Sequence, residues 1–107
     1  MPLHAARDGQ GPPLVLVHGF TQTSRCWGHV GEALAVDHEV VRVDAPGHGR
    51  SRDRRDDLTS GAAAIGEVGG PATYLGYSMG ARFCLQLALL APDLVRGLVL
   101  VSGTAGI

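Results

Sequence analysis

The sequence predicts an α/β protein built on a parallel β-sheet, and three observations predict it. Four compact apolar runs, at residues 13–17, 39–43, 72–76 and 97–102, are separated by longer stretches. The first run is apolar on both faces, which suits a strand buried between helices. The intervening stretches carry helical periodicity, and strand–helix alternation is the pattern of a parallel sheet with right-handed crossovers.

Residues 1–12 are polar and contain Gly and Pro, with one short strand expected around residues 3–6. Strand 13–17 ends at Gly19. Residues 21–24 offer helix-capping side chains, and Trp27, Val30 and Leu34 recur at spacings of three and four. The second strand, 39–43, runs into a Pro- and Gly-rich loop at 44–51. Residues 50–57 mix four Arg with three Asp and read as a solvated loop and helix start. Asp56 and Asp57 are placed in the first turn of a helix ending near Val68. Gly69-Gly70-Pro71 breaks that helix. Strand 72–76 follows, then a helix to Ala91, then strand 97–102 after Pro92 and Asp93.

Composition bounds the function. The chain has 107 residues, 45% of them apolar, which supports a core and argues against disorder. Its net charge of −1 leaves no footprint for nucleic acid. All nine basic residues are Arg. No apolar run approaches the roughly 18 residues that span a bilayer. Two cysteines, Cys26 and Cys84, do not make a disulfide framework. A cytoplasmic protein with no membrane contact is expected. The five histidines (4, 18, 29, 38 and 48) lack metal-ligand spacing, so no metal is expected. No phosphate-binding glycine loop occurs, and no cofactor is expected.

The chemistry centres on Gly76-Tyr77-Ser78-Met79-Gly80, a G-x-S-x-G pattern between an apolar strand and an apolar helix. That context is what a nucleophile elbow requires. The glycines let strand and helix approach closely, and Ser78 is expected in a strained conformation. The N–H of Met79, at the helix start, is one expected oxyanion donor. The loops at the carboxyl ends of the four strands hold most of the unusual residues, where open α/β sheets bind ligands.

Four segments carry a family resemblance: LVLVHGF (14–20), DAPGHGRS (44–51), GYSMGAR (76–82) and LVLVSG (98–103). The chain resembles the amino-terminal half of α/β-hydrolase-fold proteins over nearly its whole length. The resemblance implies a serine nucleophile, Ser78, acting on an ester or other carbonyl in a small-molecule substrate. It also implies that the second oxyanion donor is the N–H of Phe20, with Gly19 allowing the turn. HGF followed by Thr, Tyr77 before the serine and Arg82 four after it further resemble 2-succinyl-6-hydroxy-2,4-cyclohexadiene-1-carboxylate synthase. That enzyme is a lyase of menaquinone biosynthesis that eliminates pyruvate.

Several residues keep two readings. Arg82 lies one helical turn beyond Ser78, where it either clamps a substrate carboxylate or serves as a solvated or ion-paired surface residue. Tyr77 either donates a hydrogen bond into the site or packs. His18 is assigned to the substrate-binding loop with Gly19, and reads as a loop-ordering residue more than a base. Asp44, Gly47, His48 and Gly49 read as a tight turn. Cys84 and Trp27 read as core.

The resemblance departs after the elbow. Ser, acid, His is the chain order of this fold, yet no His follows Ser78, and Asp93 is its only following carboxylate. The single domain, residues 1–107, is therefore expected to be a partial α/β-hydrolase domain, truncated after the fourth parallel strand, with lid and carboxy-terminal part missing. It would hold a nucleophile and oxyanion loops without a general base, so the chain alone is expected to turn over slowly or not at all. The uncovered apolar strand 97–102 predicts self-association.

Overall fold

A computed structural model describes residues 3–19, 27–47, 51 and 57–101. The elements are β1 (Ala5–Asp8), β2 (Pro13–Val17), α1 (Gly28–Leu34), β3 (Glu39–Val43), α2 (Leu58–Gly69), β4 (Ala72–Tyr77), α3 (Met79–Leu90) and β5 (Val95–Val101). They form one five-stranded sheet in the order β1-β3-β2-β4-β5. The four predicted strands are all parallel; β1 pairs antiparallel to β3. The expected strand near residues 3–6 forms two residues later, because its register is set by pairing Ala5 with Val43 and Asp8 with Val40. Strand β5 likewise starts at Val95, two residues before the apolar run, since Ala72 pairs with Val95.

The period of two along each strand divides the core. Val15, Val17, Val41 and Val43 face one side, where Ala62 and Ile65 of α2 and Phe83, Cys84 and Leu87 of α3 cover them. Leu14, Leu16 and Val40 face the other, against Trp27, Leu34 and Ala35. These residues are apolar on both faces because both faces are covered. Trp27 is thus a core residue. The capping residues expected at 21–24 lie outside the described residues.

Helix α2 corrects one expectation. Asp57 is its N-cap, not a first-turn residue, and its carboxylate accepts from the Ser60 N–H at 2.7 Å. That bond holds the Asp57 carboxyl below its ordinary value. A depressed carboxyl stabilises the fold above the unfolded-state pKa, and the contribution disappears as pH falls through the folded one. Asp57→Ala is therefore expected to lower the melting temperature at pH 7. The difference should vanish in acid, and a difference that persists unchanged there would show that the cap is not the cause.

The strand order places the site. From β2 the chain passes through α1 to β3; from β3 it crosses back through α2 to β4 on the other side of β2. The connections leaving β2 and β4 therefore diverge, which makes the crevice between their carboxyl ends the topological switch point. Val17 is paired with both Val43 and Gly76, so the β2, β3 and β4 ends lie in one row. Among the described residues β5 is the far edge, and its Val99, Leu100 and Val101 are each about 40% exposed.

Candidate active site

Ser78 sits at that switch point, in the one-residue turn between β4 and α3. Its backbone has φ 55° and ψ −111°, and it is the only non-glycine residue with positive φ among those described. Such a conformation costs about 1–3 kcal/mol and persists only where the surroundings impose it. Three features impose it here. The Ser78 N–H donates to the Val101 carbonyl at 2.9 Å, tying the turn to the end of β5. A Cβ on Gly76 would stand 2.4 Å from the Gly80 carbonyl oxygen. A Cβ on Gly80 would stand 2.0 Å from the Val17 carbonyl oxygen. Strand, turn and helix touch backbone to backbone, so the turn has no room to relax.

The Ser78 carbonyl accepts from Ala81 and Arg82, closing the first turn of α3. Met79 is the first residue of that helix, so its N–H has no acceptor within the helix, as an oxyanion donor requires. Its side chain packs against the larger core cluster. Phe20, the other expected donor, lies outside the described residues, as do His48 and Gly49. Gly19 is buried beside the end of β2.

His18 is fully buried. Its Nδ1 lies 2.8 Å from the Gly19 carbonyl oxygen, and its Nε2 accepts from the Ala45 N–H at 3.0 Å. A backbone N–H can only donate and a carbonyl only accept, so the ring is the neutral Nδ1–H tautomer. Both nitrogens therefore serve backbone groups. The ring faces into the protein, and of its two expected roles the contacts favour loop ordering over substrate contact. Sequence reasoning missed Ala45 as the partner. Residues 27 positions apart meet only through the β2–β3 register, and no local signal marks them.

After β3, Asp44 is buried and the Gly47 N–H donates to the Ser51 carbonyl at 2.9 Å. Tyr77 ends β4 beside Val101, partly exposed. Arg82 is exposed on α3, one turn from Ser78. Cys84 offers no competing nucleophile: burial pushes its thiol up to about 12 and leaves it within the core. The same burial pushes the Tyr74 hydroxyl up to about 12, and that hydroxyl donates to the Gly70 carbonyl at 2.7 Å. Among the described residues no group of three or more His, Cys, Asp or Glu is placed to hold a metal ion. No described helix is long and apolar enough to cross a membrane.

A mostly parallel sheet with a strained Ser between strand and helix, at the switch point, defines the α/β-hydrolase class. The chain belongs to the alpha/beta hydrolase family, whose model matches residues 14–107. It is 38% identical over 104 residues to pimeloyl-[acyl-carrier protein] methyl ester esterase of Nitrosomonas europaea, covering 95% of this chain and 41% of that protein. It is 38% identical over 106 residues to the same-named protein of Methylococcus capsulatus, covering 97% and 42%. Among solved structures it matches a marine microorganism esterase at TM-score 0.86 and 26% identity, covering 94% of this chain and 41% of that one. It matches E-2-(acetamidomethylene)succinate hydrolase at TM-score 0.85 and 28% identity, covering 95% and 41%. The chain thus spans about two fifths of the length of these relatives.

These matches correct one expectation. Their names are those of hydrolases, and they lend no support to the lyase chemistry or the menaquinone pathway that the resemblance through HGF followed by Thr, Tyr77 and Arg82 implied. The reason is physical: a Tyr before the serine and an Arg after it are surface choices around a shared elbow, compatible with many substrates.

Proposed function

We propose that this chain carries the nucleophile and oxyanion loop of a serine ester hydrolase. The observation that carries the proposal is the Ser78 backbone, held at positive φ between Gly76 and Gly80. A protein keeps such strain where it positions a reacting group. In the proposed reaction the Ser78 Oγ attacks the ester carbonyl while a general base takes its proton. The carbonyl oxygen becomes an oxyanion held by the N–H groups of Met79 and Phe20. Collapse expels the alcohol, which takes the proton back from the base. Water then cleaves the acyl-enzyme to the free acid.

The base is proposed to lie in the part of the relatives this chain does not match, since both nitrogens of His18 are committed to the backbone. The relatives' name favours a methyl ester on a carrier-bound acyl chain as substrate. Arg82, exposed one turn beyond Ser78, is proposed to meet a negative group on substrate or carrier, with Tyr77 and Gly19 lining the same crevice. A cytoplasmic setting fits the low cysteine content. A fluorophosphonate probe tests the core of the proposal: it should label Ser78 in the whole gene product, and a protein left unlabelled would contradict it.

The apolar edge of β5 is proposed to drive self-association of the isolated 107-residue chain. Sedimentation should show species larger than a monomer. Val99→Lys with Val101→Lys should return it to one, because charged edge strands resist pairing. An unmodified chain that sediments as a monomer would remove this element of the proposal.

A further inference from the structure

We infer that the end of β5 is a positioning element for the nucleophile turn: the Val101 carbonyl locks the Tyr77–Ser78 peptide plane and thereby holds Ser78 in its strained conformation. This rests on the proposed role of Ser78. Peptide units are planar, so a residue's φ and ψ are the rotations that set its two flanking planes against each other. At Ser78 both planes are pinned. The plane before it is fixed where the Ser78 N–H donates to the Val101 carbonyl at 2.9 Å. The plane after it is fixed where the Ser78 carbonyl accepts from the N–H groups of Ala81 at 3.0 Å and Arg82 at 3.4 Å. With both planes held, the residue keeps φ 55° and ψ −111°.

The two pins differ in kind. The second belongs to α3 and lasts as long as the helix does. The first depends on a neighbouring strand. Gly76 and Gly80 let strand and helix approach closely, but close approach alone does not orient a peptide plane. Without the Val101 bond the Tyr77–Ser78 plane is free to turn over, which exchanges the positive φ of Ser78 for the negative values that a residue with a Cβ prefers. At negative φ, ψ −111° lies in neither the α nor the β region, so relaxing φ forces ψ to change as well. That second rotation sets the Ser78 side chain against the Met79 N–H. The nucleophile and its proposed oxyanion donor therefore lose their mutual placement together. Among the described residues β5 is an edge strand paired only with β4, so the lock rests on a strand braced from one side. Opening of the end of β5 releases the turn.

Two experiments test this. In the 107-residue chain, NMR should detect a coupling through the hydrogen bond between the Ser78 nitrogen and the Val101 carbonyl carbon. A Ser78 nitrogen that couples to another carbonyl, or to none while the Ala91 nitrogen couples to the Leu87 carbonyl, overturns the inference. In the whole gene product, the Tyr77–Ser78 peptide is replaced by an ester, which deletes that one N–H and keeps the serine side chain. Turnover, kcat, should fall about tenfold, the population change that one neutral hydrogen bond controls, with KM within about twofold. The control is the same replacement at Ala91, whose N–H donates to the Leu87 carbonyl at 2.8 Å at the other end of α3. It should lower stability and leave kcat unchanged. An unchanged kcat in the Ser78 ester, or equal losses in the two esters, overturns the inference. Ser78→Ala sets the background. If wild type does not exceed it, the hydrolase proposal fails, and the NMR coupling still decides whether Val101 holds the turn.

Discussion

Ser78→Ala is expected to lower ester turnover of the whole gene product by about 10⁶-fold, the scale of loss when a serine enzyme loses its nucleophile. The residue also stores strain, and this separates its proposed chemical role from its structural one. At φ 55° and ψ −111°, any side chain is unfavourable, whereas glycine adopts positive φ freely. Ser78→Gly should therefore abolish turnover and fluorophosphonate labelling while raising stability by about 1 kcal/mol. Calorimetry and a turnover assay on the two variants measure both halves. An ordinary surface serine would give a different pair of results: activity kept, and stability lowered or unchanged on mutation to glycine. Turnover persisting in both variants would assign the chemistry to another residue.

Gly80→Ala is expected to be the most damaging small change in the fold. Its added methyl carbon would lie 2.0 Å from the Val17 carbonyl oxygen and 2.6 Å from that of His18. Both neighbours are backbone atoms of a central strand and its exit, so no side chain can swing aside. Helix α3 must back away from β2, which loosens the packing of Phe83, Cys84 and Leu87 on the sheet. Overpacking of this kind costs about 3 kcal/mol or more. In a domain of this size that is roughly a 12–24 °C drop in melting temperature. Gly31→Ala in α1 is the control, because its nearest neighbour, the flexible Arg42 side chain, stands 3.4 Å away. Alanine should be neutral there or stabilise by about 0.5–1 kcal/mol, since glycine is a poor helix residue. Equal losses in the two variants would mean that helix propensity and not close approach governs Gly80.

Much of this was legible in the residues themselves. The buried strands showed as apolar runs at 13–17, 39–43 and 72–76, because a strand covered on both faces needs no polar alternation. The elbow showed because close contact between strand and helix excludes a Cβ, and only glycine meets that condition at residues 76 and 80. Asp57 was visible as a helix-start residue, but its position as the cap depended on the backbone leaving the extended conformation at Leu58. The specific lyase resemblance, read from HGF followed by Thr, Tyr77 and Arg82, found no support among the named relatives, because a few residues around a shared elbow are compatible with many substrates.

By itself, the sequence determined the α/β class, the strand and helix order and the serine at the turn, since these follow from local periodicity and glycine spacing. Only the tertiary structure decided that β1 runs antiparallel, that the switch point lies between β2 and β4, and that His18 spends both ring nitrogens on Gly19 and Ala45. Apart from the contact between adjacent His18 and Gly19, those features arise from register and crossover between distant segments; the bond from Ala45 to His18 spans 27 positions, and pairing over such separations leaves no periodic trace in the chain.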